Sequence, residues 1–208
     1  MRLIVFTAHP DDEIACLGMI EKVKKEGEVL LICFTAQNET RINEFNSACN
    51  FLGIKGINLE LEDGSIFISS QVRQRLINII KDFKPDIIIC QSDEDYHPDH
   101  KAVNKIVKEV VEFARHNAKP KWEIKSFMKW ESTNLFTDPH MILEFDKSVM
   151  EKKIKLWEIH ASQTSIERDK NYYLNFLEHK SRARGAQIAK FYGEAYKNIP
   201  LVINGEFY

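Results

Sequence analysis

The sequence predicts an α/β protein: a Rossmann-like, doubly wound, mostly parallel sheet with helices on both faces and a less regular C-terminal part. Three observations carry that prediction. Short apolar runs recur at 2–7, 29–35, 57–61 and 86–90, as in strands buried on both faces. Between them lie stretches with apolar residues at helical spacing, the alternation expected of a parallel sheet with crossover helices. The 208 residues are 44% apolar and 29% charged, enough for a sizeable core and too apolar for disorder. No repeat, low-complexity tract or linker divides residues 1–208, which read as a single domain.

Each element has its own signal. RLIVFT at 2–7 is a short buried strand that ends at Ala8-His9-Pro10. A helix follows from Asp11 or Asp12 to about Lys25, with Ile14, Leu17, Ile20 and Val23 in register and Gly27 as its stop. VLLICFT at 29–35 is the second strand. Phe45, Ala48, Cys49 and Leu52 share one face of a helix over 41–52, closed by Gly53. Residues 57–61 form the third strand, and Glu62 to Ser65 a turn. Helix 70–83 stops before Pro85, and 86–90 is the fourth strand. A polar loop then leads through His97-Pro98-Asp99-His100 into a helix that reaches about Arg115. Further on, 124–130 and 141–145 read as strands, and 146–161 and 168–190 as helices with wet, charged outer faces, the Lys-rich stretch 147–155 among them.

Lys plus Arg total 29 against 31 Asp plus Glu, a net charge of −2, which argues against a protein that grips nucleic acid by its backbone charge. The apolar runs are too short for a membrane span, and the first segment turns acidic too early for a signal peptide, so a cytoplasmic location is expected. Cys16, Cys33, Cys49 and Cys90 lie far apart in apolar surroundings and read as buried, reduced thiols.

Two motifs occupy equivalent places: His9-Pro10-Asp11-Asp12-Glu13 after the first strand, and His97-Pro98-Asp99-His100 after the fourth. In open α/β sheets the carboxyl ends of the strands line the ligand crevice, so the motifs can meet at one rim. They supply three histidines and three aspartates, an inventory suited to a divalent metal. The spacings His9-x-x-Asp12 and His97-x-x-His100 let both ends of each motif reach one centre, and the remaining residues are available for proton transfer. Either motif alone would also read as a helix start, with proline at the first position and acids in the first turn. Two at matched strand ends favour the metal.

These residues resemble the PIG-L/LmbE-like zinc-dependent N-deacetylases, whose hallmarks are an AHPDDE segment, here Ala8 to Glu13, and an HPDH segment, here 97–100. Arg41 to Glu44 resembles the family's RxxE helix. Lys84 to Asp86, Asp95-Tyr96, Lys153 to Gln163, Arg184-Gly185 and Tyr192 to Tyr196 are similar to its other segments, so the likeness spans nearly the whole chain.

The resemblance implies that His9, Asp12 and His100 ligate Zn²⁺, with Fe²⁺ or another divalent ion as an alternative. Asp11 would be the general base, and His97 the oxyanion stabiliser and acid. Asp99 would orient His97 and favour its charged form, while Arg41 would reach toward the substrate; Tyr96, beside His97, is a candidate for lining the pocket mouth or for packing the loop. The implied partner is a small N-acetylated sugar of the N-acetylglucosamine type or a conjugate of it, with no nucleic acid and no membrane span; self-association is left open. Two alternatives stand: an amide hydrolase for a non-sugar N-acyl compound, and a metal-retaining binding module without turnover. Thr35 to Thr40 runs directly into Arg41, without the longer Gly-containing loop of many relatives, which implies a differently shaped pocket. The sequence leaves open whether Arg41 faces the site or only pairs with Glu44, and whether His160 is catalytic or structural. His116, His140 and His179 read as surface or loop residues, and Trp122, Trp130 and Trp157 as core builders before sugar platforms.

Overall fold

The computed structural model describes residues 1–116, 122–164 and 172–201. A seven-stranded sheet runs in the order β3-β2-β1-β4-β5-β7-β6. Its strands are β1 (Arg2–Thr7), β2 (Glu28–Cys33), β3 (Lys55–Asn58), β4 (Ile87–Gln91), β5 (Ser126–Trp130), β6 (Met141–Phe145) and β7 (Tyr192–Asn198). The first five pair in parallel; β7 pairs antiparallel with both β5 and β6. Leu3 to Phe6 and Leu31 to Cys33 are fully buried, as strands covered on both faces require.

The helices are α1 (Leu17–Lys24), α2 (Glu39–Leu52), α3 (Ser70–Phe83), α4 (Pro98–His116), α5 (Lys147–Ile159), α6 (Ala161–Thr164) and α7 (Tyr172–Ala186). α3 packs on α4, while α1 and α2 both pack on α5, giving a helical layer on each face. Caps fix their starts: the Asn38, Ser69 and Asp146 side chains accept backbone N–H bonds three residues on. Gly53, at φ 65°, closes α2 in the left-handed region.

Several expectations need correction. The first helix does not start as α: Asp12–Cys16 is a 3₁₀ turn entered through Asp11. The third strand ends at Asn58 rather than 61, because the chain then turns through Glu60 at φ 56°. And β7 carries no simple strand signal, since Glu194 and Lys197 lie buried within it. Glu194 accepts bonds from the N–H groups of Gly18 (2.7 Å) and Met19 (3.2 Å), which tie this strand to α1. Lys153, read as part of a wet helix face, is fully buried instead and lies 2.6 Å from Glu194. The four cysteines are free and buried. Part of the predicted helix 168–190 lies outside the described residues. Among the described residues no helix is long and apolar enough to cross a membrane.

Candidate active site

The strand order reverses between β1 and β4, and open α/β sheets hold their ligands beyond the carboxyl ends of strands at such a point. Both motifs project there. The Gln91 side chain accepts the Ala8 N–H at 2.8 Å, and the Ala8 carbonyl accepts from the Thr35 hydroxyl at 2.9 Å. These buried bonds lock the strand ends in mutual register. The imidazoles of His9, His97 and His100 converge, with ring centroids 4.7–5.6 Å apart.

Asp12 sits between two of them. Its Oδ1 is 3.4 Å from His100 Nε2, and its Oδ2 is 3.6 Å from His9 Nδ1 while accepting the His9 backbone N–H at 2.7 Å. One ligand atom from each of His9, Asp12 and His100 lies within 4.8 Å of the others. Behind His100, Nδ1 faces Asp95 (3.2 Å) and the Ser132 hydroxyl (3.3 Å), an outer-shell arrangement that turns Nε2 to the cluster. Asp95 also accepts from Ser132, Thr133 and the His97 N–H.

The electrostatics match a cation site. Burial disfavours charge on both imidazoles, yet Asp12, helped by Asp63 and Asp99 at His9 and by Asp95 at His100, pushes them up to about 9 and about 10. Burial likewise opposes charge on Asp12, but His100 and His9 outweigh it and hold the carboxyl well below its usual range. Two imidazoles and a carboxylate that together demand positive charge, with donor atoms this close, fit a divalent ion such as Zn²⁺. His9, His97 and Asp99 meet the same distance criterion. In that set, however, the Asp99 carboxylate is committed to the N–H groups of Gly64 (2.8 Å) and Ile66 (3.4 Å), so the Asp12 set fits better.

Asp11 stands beside the cluster in an uncommon conformation, φ 101° and ψ −21°. Burial and the neighbouring Asp12 push its carboxyl up to about 7, against the pull of Arg41. Arg41 does reach the first motif: Nη2 donates to the Pro10 carbonyl (2.7 Å) and lies 3.9 Å from Asp11, while Nη1 is 3.7 Å from Glu44.

One expected contact is different. The Asp99 carboxylate hydrogen-bonds to His9 Nε2 (3.0 Å) and the 64–66 loop instead of His97. What meets His97 is the backbone N–H of Asp99, 3.2 Å from Nδ1. A donor at Nδ1 leaves the proton on Nε2 of a neutral ring. Burial, His100 and His9 hold His97 below its ordinary pKa, which agrees. The change has a simple cause: the chain over 63–66 folds onto α4 and takes the carboxylate for its own N–H groups. Asp63 of the same segment lies 3.1 Å from His9 Nε2.

Tyr96 is exposed at the rim. His160 is fully buried against Glu13 at 2.6 Å. His140 accepts the Asn198 N–H, His116 lies 3.6 Å from Glu112, and His179 is exposed on α7. Trp130 is buried, Trp122 donates to the Pro85 carbonyl and Trp157 stacks on Tyr173, so none presents a free platform. Sequence reasoning missed Asp63, Ser132 and the supporting parts of Glu13 and Asp95; only the last two stood in a quoted motif. A separate cavity of about 670 Å³, lined by Lys22, Glu144, Phe145, Arg182 and Tyr192 among others, contains none of the site residues.

The PIG-L family model, described as GlcNAc-PI de-N-acetylase, matches residues 4–111, a span holding both motifs and all three candidate ligands. The chain belongs to this family. As a PIG-L family enzyme it is a hydrolytic N-deacetylase, and its mostly parallel sheet agrees with that membership. Solved structures share the whole fold. The conserved protein TT1542 from Thermus thermophilus is 21% identical, with a TM-score of 0.80 over 97% of this chain and 96% of that one. N,N'-diacetylchitobiose deacetylase from Pyrococcus horikoshii is 23% identical, with a TM-score of 0.80 over 96% and 84%. GalB, the 4-carboxy-2-hydroxymuconate hydratase from Pseudomonas putida, is 15% identical, with a TM-score of 0.75 over 100% and 99%. A deacetylase and a hydratase on one scaffold mean that the fold alone does not choose the reaction. For this chain the family match does.

Proposed function

We propose that the protein uses a divalent ion, Zn²⁺ foremost, to hydrolyse the N-acetyl group of an N-acetylglucosamine-type sugar or sugar conjugate. The observation that carries the reading is Asp11 beside a His9–Asp12–His100 cluster whose ligand atoms lie within 4.8 Å of one another. Those three residues would hold the ion, which when bound supplies an acidified water and a polarised amide carbonyl.

The chain's own groups do the rest. Asp11, a carboxylate with its pKa raised towards neutrality, takes the proton of the attacking water. The developing oxyanion receives a hydrogen bond from His97 Nε2–H, which the Asp99 backbone donor keeps protonated on that atom. A neutral donor serves here, as an imidazolium would be opposed by His9 and His100. Asp11, now a carboxylic acid, returns its proton to the leaving nitrogen, since an amide anion does not depart. The Arg41 guanidinium, 3.9 Å from Asp11, moderates the charge of its carboxylate. The sugar assignment is supported by the family description and by the chitobiose deacetylase among the structural relatives.

Acetate release from N-acetylglucosamine derivatives by the zinc-loaded protein tests the reading. Asp11→Asn should keep one ion per chain and lose about 10²–10⁴-fold in kcat. Zinc bound by the wild type with no acetate from any N-acetyl sugar would overturn it and favour a binding module.

A further inference from the structure

Asp11 must hold a left-handed backbone that is strained for any residue but glycine, and something nearby must support it. The support is visible. The Asp11 N–H donates to Glu13 Oε2 at 2.9 Å, a bond from a backbone amide to a carboxylate two residues on. Glu13 is fully buried, and its other oxygen lies 2.6 Å from Nε2 of His160, also fully buried. His160 is itself fixed by its place: it ends α5, with its N–H bonded to the Leu156 carbonyl at 3.0 Å. Ser162, next along, is tied through its N–H and hydroxyl to the Glu44 carboxylate, both at 2.7 Å. Neither Glu13 nor His160 is among the ligand atoms of the metal cluster.

We infer that Glu13 and His160 form a positioning pair that clamps the Asp11 backbone and so aims the catalytic carboxylate. The inference rests on Asp11 acting as the base. The pair touches no reacting atom; its effect passes entirely through Asp11. An ordinary carboxylate in a 3₁₀ turn would point to solvent, whereas this one is drawn inward by a histidine 147 residues away in sequence. The residues that end α5 therefore set the geometry of the first motif.

The test combines kinetics with an amide probe on the zinc-loaded full chain. Glu13→Ala should lower kcat for acetate release about 100-fold, leave KM within about threefold and keep one zinc per chain. Glu13→Gln keeps a carbonyl acceptor for the Asp11 N–H and should recover most of that loss. In the Asp11→Asn background, Glu13→Ala should cost nothing further, because both changes remove one function. Hydrogen exchange at the Asp11 amide should accelerate in Glu13→Ala and stay slow in Asp11→Asn. If Glu13→Ala does not fold, His160→Gln decides: about a tenfold loss in kcat that vanishes in the Asp11→Asn background. Full activity of folded Glu13→Ala, loss of its zinc, or equal losses with and without Asp11 would each overturn the positioning role. Full activity of Asp11→Asn alone would instead overturn the assigned base.

Discussion

At the residue scale, the site depends on side chains whose neighbours decide their charge. Asp12 and Asp11 are adjacent in sequence and opposite in character: one is held ionised by two imidazoles, the other drawn towards neutrality by burial and by its neighbour's charge. Separate environments thus give two like residues opposite proton affinities. His9→Ala removes one of the three proposed ligands and should drop bound zinc well below one per chain, measured by metal analysis after dialysis. A variant that keeps stoichiometric zinc would exclude His9 as a ligand. The His9–Asp12–His100 cluster was legible as a candidate because His9-x-x-Asp12 and His97-x-x-His100 are local patterns. The partners behind them were not, because Ser132 reaches His100 and Asp95 from 32 and 37 residues away and no spacing announces it. The Asp99 contact was misread for the same reason: the N–H groups that claim its carboxylate belong to residues 64 and 66.

At the element scale, strands and helices were readable wherever one physical period ruled. β1, α3 and α4 match their predicted bounds nearly residue for residue, since apolar residues at one period dominate what each buries. β7 escaped because its buried face carries Glu194, whose carboxylate accepts from Gly18, Met19 and the Tyr196 hydroxyl and pairs with Lys153. The absence of a Cβ at Gly18 is part of the fit, since one there would stand 2.8 Å from that carboxylate. Glu194→Gln strands the buried Lys153 charge and should cost about 3–5 kcal/mol, read by urea denaturation. A loss under about 1 kcal/mol would show that the pair does not hold β7 to α5. Asp86 gives a pH signature. The hydrogen bonds from Lys125 (2.9 Å) and the Arg2 N–H (2.8 Å) hold its carboxyl below the ordinary 3.8. Its contribution is therefore present above pH 3.8 and lost as the pH falls through the depressed folded value. Asp86→Asn should cost about 0.5 kcal/mol at pH 7, and the difference should shrink as the pH is taken below 3.8. An unchanged gap at low pH would rule out the ion pair as its source.

At the scale of the whole molecule, the parallel core builds one rim and the antiparallel β5-β7-β6 extension braces it. The buried bridge from Arg184 to Glu131 (2.6 Å) and the bonds from Lys180 to the Glu131 and Ser132 carbonyls (3.2 and 2.8 Å) fix the segment after β5 that backs His100. An ion bound only by the assembled rim stabilises the fold by mass action, about 2.7 kcal/mol at a hundredfold excess over Kd. Chelation should accordingly lower Tm by several degrees, and added zinc should restore it, as followed by scanning calorimetry. An unchanged Tm would mean that no ion is held by the folded rim. The doubly wound architecture was legible from strand and helix alternation; the brace was not, because its contacts join segments 48 to 176 residues apart.

The grip of Glu194 on Gly18 and Met19 has a bearing on how the chain is born. The first helix leaves the ribosome early, yet the carboxylate that receives its N–H groups is translated 176 residues later. A nascent chain stalled before Tyr192 would carry both histidine motifs without that anchor, so competence to retain an ion should arise abruptly, late in synthesis, rather than accumulate as the polypeptide lengthens.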